Sequence, residues 1–234
     1  MYLNDREEHF MLNNFNLGVL KLFLLLYADD IVLYSETEHG FQHGLLLLEN
    51  YYDQWKLVVN IANTEIMVFR KGGQLRRNMK FMYKGNKIEI VKKFTYLGII
   101  FTTGGSFTCT FETLSGHATK AIYKLKKCLL RYPFVTVKHR LDLFDKLILP
   151  ISNYGSEVWG LLESPQLERV LIRYCKELLC VRQQTQNNFI YGELGRTTLL
   201  SFRSYYVIKY WLKIVHMKCT KYVKIVYNLL YNDI

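Results

Sequence analysis

The pattern of apolar and polar residues changes character near residue 106. Before this point, short apolar runs of strand length alternate with turn residues, and one segment has a helical period. After it, apolar residues recur every three or four positions, which is typical of amphipathic helices. The pattern therefore predicts an α+β region over residues 1–106 and an all-helical region over residues 107–234.

The first region is predicted to begin with a hairpin, followed by a helix. Two apolar runs, Leu22–Leu26 and Ile31–Tyr34, suit buried strands on either side of a turn. Apolar residues at three- and four-residue spacing predict a helix from Thr37 to Trp55. Further strands are expected at Leu57–Val59, Ile66–Phe69, Phe81–Tyr83, Lys87–Val91 and Phe94–Phe101, with turns at Gly85–Asn86 and Thr103–Ser106.

The second region is predicted to contain several amphipathic helices. One has an apolar face formed by Leu114, Ala118, Ala121, Ile122, Leu125 and Leu129. A second is expected over Val137–Leu149 and closed by Pro150, since proline removes a helical hydrogen bond. Ser164 followed by Pro165 predicts the start of a third. The residues predicted on its inward face are Leu167, Val170, Leu171, Tyr174, Cys175, Leu178 and Leu179. An aromatic-rich helix is expected from Phe202 to Tyr231.

Composition places the chain among folded proteins. Half of its 234 residues are hydrophobic and 22% are charged, which excludes a disordered or collagen-like chain. Five cysteines without a C-x-x-C pair indicate neither a disulfide framework nor a zinc module, and Cys175 and Cys180 are predicted to be core thiols. Without an apolar segment of membrane-spanning or signal-peptide character, we expect a reducing intracellular location, cytoplasmic or nuclear, and no membrane partner.

Charge is distributed unevenly along the chain. The net charge is +11, but residues 1–69 carry −7 whereas residues 70–140 carry +14. An acidic segment followed by a strongly basic one favours a carboxylate-dependent site beside a surface that binds a polyanion.

The most informative motif is the sequence Tyr27-Ala28-Asp29-Asp30 between the first two predicted strands. Adjacent carboxylates repel each other unless a cation neutralises them. Their hard oxygen atoms suit Mg²⁺ or Mn²⁺ held together with substrate phosphates. The alternative interpretation of the motif is a solvated turn without a ligand.

These residues resemble the catalytic hairpin of reverse transcriptases, and the resemblance continues along the chain. The hairpin Leu26–Ser35, with alanine between the aromatic residue and the aspartates, resembles enzymes of retrotransposons that lack long terminal repeats. Trp55–Asn60 and Thr64–Phe69 are similar to the next palm motif, and Phe94–Ile99 resembles the primer grip. Three later segments resemble the thumb and downstream region: Leu143–Pro150, Tyr154–Gly160 and Tyr191–Arg196.

The resemblance implies a partial polymerase palm of antiparallel strands with a helix over residues 1–106, followed by an all-helical thumb and C-terminal region. It implies two-metal nucleotidyl transfer from a deoxynucleoside triphosphate to a primer 3′-hydroxyl, on an RNA template. Asp29 and Asp30 would be the catalytic and metal-binding carboxylates. The residues implied in nucleotide and primer binding are Tyr27, Ala28, Tyr96, Leu97 and Gly98.

Two departures from the family pattern affect the expected activity. The family takes another aspartate from an upstream palm strand, whereas the 26 residues before Tyr27 offer only Asp5, Glu7 and Glu8, outside any strand-like context. The chain is therefore expected to resemble the C-terminal half of a polymerase, without fingers or endonuclease, and to be inactive alone. Asn63 occupies the position of a lysine that assists the leaving group, and asparagine is uncharged at neutral pH.

A basic stripe is predicted on the first helix of the second region. Its members, spaced by four, three and four residues, are Lys120, Lys124, Lys127 and Arg131. This spacing places them on one face, opposite the apolar face, where they could contact the phosphates of a template–primer duplex or simply be solvated. Arg70, Lys71, Arg76, Arg77 and Lys80 form a second basic cluster on a predicted loop. The alternatives for the whole chain are a non-catalytic nucleic-acid-binding retroelement remnant and a structural fragment without a partner.

Overall fold

The computed structural model describes residues 24–27, 30–75 and 79–232, and it confirms the α+β class. None of the helices in these ranges is long and apolar enough to cross a membrane. The strands are β1 (Leu24–Tyr27), β2 (Asp30–Leu33), β3 (Glu65–Met67), β4 (Met82–Tyr83), β5 (Asn86–Lys87), β6 (Glu89–Val91), β7 (Lys93–Tyr96) and β8 (Ile99–Thr102). The α-helices are α1 (Glu38–Gln54), α2 (Thr108–Leu129), α3 (Val137–Leu147), α4 (Leu149–Ser152), α5 (Ser156–Trp159), α6 (Pro165–Leu178), α7 (Asn187–Leu194), α8 (Leu199–Val215) and α9 (Tyr222–Asn232).

The described residues divide into two compact units. One comprises the residues up to Phe94 together with those from Lys218 onward, and the other runs from Thr95 to Met217. The division into a palm and a helical region at residue 106 rests on the apolar pattern and the family resemblance, and it stays a prediction.

Helix α1 provides much of the core of the first unit, as its apolar spacing predicts. The Thr37 side chain caps this helix by accepting a hydrogen bond from the Gly40 N–H at 3.1 Å. The buried residues of the core are Leu45, Leu48, Tyr51, Tyr52, Ile66, Phe81, Tyr83 and Ile88. The buried residues of β3 and β4 thus pack in one apolar cluster with those of α1.

The strands of the first unit depart from the sequence prediction in two places. β1 and β2 form the expected antiparallel hairpin, but β3 pairs with β6 in parallel rather than antiparallel. The predicted strand Leu57–Val59 is wrong, because α1 ends in a turn at Lys56, whose φ is 52°, and the Leu57 N–H donates to the Tyr52 carbonyl. Val58 is 92% exposed, and these residues have no neighbouring strand in the described structure.

Two hairpins turn on pairs of residues with positive φ. Lys84 and Gly85 connect β4 to β5, so the turn lies one residue earlier than predicted and Asn86 belongs to a strand. Leu97 and Gly98 break the predicted continuous strand 94–101 into β7 and β8. Two consecutive left-handed residues produce the tight connection whose twist matches that of paired strands.

Helix α2 packs against α4 and α6 in the core of the second unit. Leu114, Ala118, Ile122, Leu125 and Leu129 are buried along one face of α2, and Ala121 packs against their cluster. On α6, Leu167, Leu171, Tyr174 and Cys175 are buried, as predicted. The helical period read from the sequence is therefore confirmed in both helices.

Helix ends after residue 106 differ from the prediction. α3 stops at Leu147, and Pro150 lies in the first turn of the short helix α4, where a missing N–H costs nothing. The aromatic-rich helix predicted from Phe202 to Tyr231 is two helices, α8 and α9, separated by the non-helical residues 216–221. Backbone N–H groups there bond carbonyls three residues back, as in Met217 to Ile214.

The two predicted core thiols have different environments. Cys175 is fully buried, as expected, but Cys180 is exposed. Cys180 follows the end of α6 and has a φ of 53°, so the turn carries its side chain out of the core. Burial, with smaller contributions from Asp145 and Glu168 that Arg196 opposes, raises the pKa of Cys175 to about 11.

The Cys175 thiol predicts a loss of stability in alkaline solution. In the unfolded chain this thiol ionises near pH 9, whereas the folded protein keeps it protonated up to about pH 11. Stability is therefore retained below pH 9 and falls as the pH rises from 9 to 11, by about 2 kcal/mol from this group.

Urea unfolding between pH 8 and pH 11 measures this loss. Cys175→Ala is expected to show a smaller fall in unfolding free energy across that range than the unsubstituted chain. Cys180→Ala, which removes an exposed thiol, is the matched control and is expected to leave the fall unchanged. Identical slopes for all three proteins would contradict the prediction.

Candidate nucleic-acid interface and carboxylate hairpin

The carboxylate motif lies at the turn of the β1–β2 hairpin. Tyr27 ends β1 and is paired with Asp30, the first residue of β2. The backbone of these two residues is described, whereas Ala28 and Asp29 lie outside the described residues. The hairpin expected from the sequence therefore forms, and the geometry of the carboxylates stays a prediction.

The carboxylates of the motif have the donor chemistry that a hard divalent cation requires. Within residues 30–75 and 79–232, no three His, Cys, Asp or Glu side chains come together in a group that could hold a metal ion. Asp29 and Asp30 offer oxygen atoms of the kind that Mg²⁺ and Mn²⁺ prefer. The donor chemistry of the pair is thus compatible with a divalent cation.

Asn63 lies at the end of a short 3-10 helix, Ile61–Asn63. It is exposed, and its backbone N–H donates to the Asn60 carbonyl at 3.1 Å. The Thr64 hydroxyl donates to the same carbonyl at 2.8 Å, which fixes the turn. The position is accessible to a ligand, but its side chain is a neutral amide.

The predicted primer-grip residues form the tip of the β7–β8 hairpin. Tyr96 ends β7, and Leu97 and Gly98 have φ values of 47° and 78°. A left-handed conformation is unfavourable for leucine, so other contacts must hold the turn in place.

Tyr154 supplies one of these contacts. Its hydroxyl donates a hydrogen bond to the Leu97 carbonyl at 2.9 Å. A Cβ atom at Gly98 would lie 3.0 Å from Cε1 of Tyr154, so glycine lets the aromatic ring lie directly against the turn. The sequence resemblance includes Tyr154 in a downstream motif, but gives no sign that it contacts the primer-grip turn.

Two further contacts hold the following strand. Gly155 has a φ of 67°, and a Cβ atom there would come within 2.4 Å of Cδ1 of Ile99. The Thr110 hydroxyl, on the first turn of α2, accepts from the Ile100 N–H at 3.1 Å and donates to the Ile100 carbonyl at 2.9 Å. The hairpin is therefore fixed by two later parts of the chain, the first turn of α2 and the turn between α4 and α5.

Trp159 and Arg203 support the Tyr154–Gly155 segment from beneath. The Trp159 indole N–H donates to the Tyr154 carbonyl at 3.2 Å, and the ring is buried. The Arg203 guanidinium lies 5.1 Å from the Trp159 ring centroid, and one of its nitrogens donates to the Ser164 hydroxyl at 2.7 Å. Ser164 precedes α6 as predicted, but its side chain binds this arginine instead of capping the helix.

The basic stripe predicted on α2 is exposed. Lys120, Lys124 and Lys127 lie opposite the buried apolar face, and the exposed Arg131 follows just after the helix end. These four side chains have no acidic partner among the described residues. Lys126, next to the stripe, forms an ion pair with Glu177 on α6, so its charge is already neutralised and is less available to a polyanion.

The second basic cluster is only partly described. Lys71 and Lys80 are exposed, whereas Arg70 is half-buried and Arg76 and Arg77 lie outside the described residues. This loop therefore contributes two accessible lysines to the basic surface of the first unit.

Comparison with known proteins supports the resemblance read from the motifs. The chain is similar to a protein described as a probable RNA-directed DNA polymerase from transposon BS of Drosophila melanogaster, with 24% identity over 158 residues. The match covers 65% of this chain and 17% of the Drosophila protein, so the chain spans less than a fifth of that relative. No protein-family model matches the chain, and no solved structure matches it. The predicted likeness to a retrotransposon reverse transcriptase is confirmed by the Drosophila relative.

The close approach of Gly155 to Ile99 predicts a large effect of adding one methyl group. Gly155→Ala is expected to lower the unfolding free energy by about 3 kcal/mol, because it adds a clash to a left-handed backbone. Gly195 also has a positive φ, 60°, but its added Cβ would meet nothing within 4 Å.

Gly195→Ala is accordingly the matched control, and we expect it to cost only about 1 kcal/mol from backbone strain. Urea unfolding of both variants measures the difference. Equal losses would show that Ile99 moves aside and that the contact does not constrain the hairpin.

Proposed function

We propose that the chain is part of an RNA-directed DNA polymerase of a retrotransposon that lacks long terminal repeats. The observation that carries the proposal is the similarity to the Drosophila transposon polymerase, together with the motif Tyr27-Ala28-Asp29-Asp30 at the turn of a β-hairpin. Its substrates would be an RNA template, a DNA primer and deoxynucleoside triphosphates.

Asp29 and Asp30 would hold Mg²⁺ or Mn²⁺. When bound, these ions neutralise the triphosphate and activate the primer 3′-hydroxyl. The chain's own contribution would be the two adjacent carboxylates of the motif, which follows strand β1 and ends where β2 begins. Tyr27 and Ala28 would form the surface beneath the primer terminus.

The β7–β8 turn would hold the primer strand. Positioning a reacting hydroxyl requires a rigid support, because small displacements reduce the rate strongly. The hydrogen bond from Tyr154 to Leu97 and the two bonds between Thr110 and Ile100 provide that rigidity. Tyr96, Leu97 and Gly98 are thus well suited to contact a strand without moving.

Helix α2 would follow the phosphates of the template–primer duplex. Lys120, Lys124 and Lys127, which have no acidic partner among the described residues, lie along about 10 Å of helix axis, the length of about three base pairs, and Arg131 follows them. Exposed lysines without acidic partners can release counterions on binding a polyanion, which makes the affinity depend on salt.

Replacing the three lysines Lys120, Lys124 and Lys127 with alanine is expected to weaken binding to an RNA–DNA hybrid. The slope of log affinity against log salt concentration should fall by about 2–3, since each phosphate contact contributes nearly one unit. Fluorescence anisotropy at several salt concentrations measures both quantities.

A second triple variant separates the stripe from overall charge. Lys209, Lys213 and Lys218 are also exposed, and replacing them with alanine removes the same net charge from positions outside α2. This control is expected to keep most of the salt slope. If both triple variants lose the same slope, binding depends on total charge and the stripe has no special role.

A second candidate function is nucleic-acid binding without catalysis. The observation that favours it is Asn63, which cannot donate a proton to a leaving group as a lysine could. The motif supplies two adjacent carboxylates, whereas the polymerase site implied by the family uses another aspartate from a separate strand. Both proposals predict binding of hybrids, so catalysis must be tested directly.

The 234-residue chain by itself is expected not to extend a primer on an RNA template with Mg²⁺ or Mn²⁺. Asn63→Lys should restore nothing, because proton transfer contributes about 10²–10⁴-fold only where the reacting groups are already positioned. The measurement is primer extension on poly(rA)/oligo(dT), with Asp29→Asn as the control.

A complementation experiment distinguishes the two candidates. The part of the Drosophila relative outside the matched residues is added as a separate polypeptide. Extension that requires both polypeptides and is lost in Asp29→Asn would support the polymerase proposal. Hybrid binding without extension in any mixture would favour the non-catalytic role, and extension by the chain alone would refute the expectation that two carboxylates are insufficient.

A further inference from the structure

The loop between α2 and α3, residues 130–136, exposes aromatic side chains to an unusual extent. Phe134 is 96% exposed and Tyr132 is 63% exposed. Neither ring packs against another aromatic ring among the described residues, although most tyrosines and phenylalanines of the α2–α6 core do. Exposed apolar groups of this size in one place are typical of binding sites.

This loop, which we call the aromatic loop, is held by hydrogen bonds at its C-terminal end. The Arg140 Nε–H donates to the Val135 carbonyl at 3.1 Å, and the Tyr174 hydroxyl donates to the Arg140 carbonyl at 2.9 Å. The Thr136 hydroxyl caps α3 and lies 2.7 Å from Nδ1 of His139. The exposed rings are therefore carried on a backbone that the α3 and α6 helices fix in place.

The aromatic loop borders an open concave surface of about 690 Å³ together with the exposed side of α3. Its ionisable lining residues are Arg131, His139, Asp142 and Lys146. Arg131 and Lys146 form no ion pair in the described structure. Asp142 is the acidic residue that lines the surface together with these two cations. Aromatic faces with adjacent free cations favour a ligand that has planar rings and negative charge.

The basic stripe on α2 leads directly to this surface. Arg131 is at once the last member of the stripe and part of the lining of the concave surface. A duplex bound along Lys120, Lys124 and Lys127 would therefore have one end close to Tyr132 and Phe134. Any unpaired strand that continues beyond this end would pass over the exposed rings.

We propose that the aromatic loop stacks unpaired nucleotides that extend from a duplex held on α2. Bases of any sequence stack on aromatic rings, and Arg131 and Lys146 can contact the phosphates between them. The inference rests on the proposed nucleic-acid binding, but it adds a separate single-strand site. A protein partner would need acidic groups to meet the same cations, so the charge favours a nucleic acid.

Two hybrids test the inference on the full chain. One is a blunt RNA–DNA hybrid, and the other is the same hybrid with an unpaired tail of about six nucleotides that carries a fluorescent adenine analogue. The tail is expected to raise the affinity about tenfold and to quench the analogue through stacking. Phe134→Ala should abolish both effects while leaving the affinity for the blunt hybrid and its salt slope unchanged.

Conservative variants separate stacking from general apolar contact. Phe134→Trp is expected to keep the gain from the tail, whereas Phe134→Leu should lose it. Phe189→Ala, which removes a phenylalanine on α7 that is 66% exposed, is the matched control and should bind like the unsubstituted chain. Because Phe134 contributes little buried area, these substitutions leave the fold intact, which circular dichroism verifies.

Failure of this inference differs from failure of the proposed function. If the blunt hybrid binds and the tail adds nothing, or if Phe134→Leu keeps the full gain, base stacking on the aromatic loop is refuted while duplex binding stands. If neither hybrid binds, both proposals are refuted. Self-association of the chain that Phe134→Ala abolishes, without any gain from the tail, would show that the loop binds a second copy instead.

Discussion

The contact between the Tyr154–Gly155 segment and the β7–β8 hairpin is the constraint on which the second unit's candidate binding surface depends. Glycine at 155 allows a left-handed backbone to lie against Ile99, and the neighbouring Tyr154 hydroxyl then reaches the Leu97 carbonyl. Leu97 can keep its unfavourable positive φ because its carbonyl is bound from outside the hairpin. A flexible two-strand hairpin thereby becomes a fixed feature of a helical unit.

The support beneath this contact consists of buried aromatic and cationic groups. Trp159 lies between Phe111, whose ring centroid is 5.0 Å away, and the guanidinium of Arg203. Burial lowers the pKa of Arg203, and the nearby Glu168 carboxylate opposes this effect. Glu168 in turn accepts hydrogen bonds from the Tyr191 hydroxyl and from the Leu199 N–H. The carboxylate that offsets the buried Arg203 charge thus also binds the first N–H of α8. In this way α5, α6 and α8 are connected around Trp159.

Cations have two distinct roles in the second unit, and the face of the helix on which they lie separates these roles. Lys126 and Arg196 form ion pairs with Glu177 and Asp145, and the buried Lys176 donates to the Gln183 carbonyl. These three stabilise helix packing and loop ends. The lysines on the far side of α2 have no such partners in the part of the chain that the structure describes, and the aromatic loop extends that surface with rings in place of charge. A surface of this kind suits a nucleic acid in which a duplex continues into an unpaired strand.

Much of this organisation follows from the sequence alone, because it depends on local spacing. The period of apolar residues predicted α1, α2 and α6 and their buried faces, and the same period placed Lys120, Lys124 and Lys127 on the opposite side of α2. The hairpin around Asp29 and Asp30 and the likeness to a transposon polymerase were also accessible from short motifs.

Only the tertiary structure determined the strand pairings, side-chain exposures and hydrogen bonds that depend on residues distant in the chain. The parallel pairing of β3 with β6, the isolation of Leu57–Val59 from any described strand, and the exposure of Cys180 follow from turns whose direction no apolar period specifies. The same reason applies to Tyr154 on Leu97, Thr110 on Ile100 and Arg203 on Ser164. Each joins residues between ten and 57 positions apart, and such contacts form only when helices have packed. The sequence determined which residues face inward or outward on each element, whereas packing determined which elements meet.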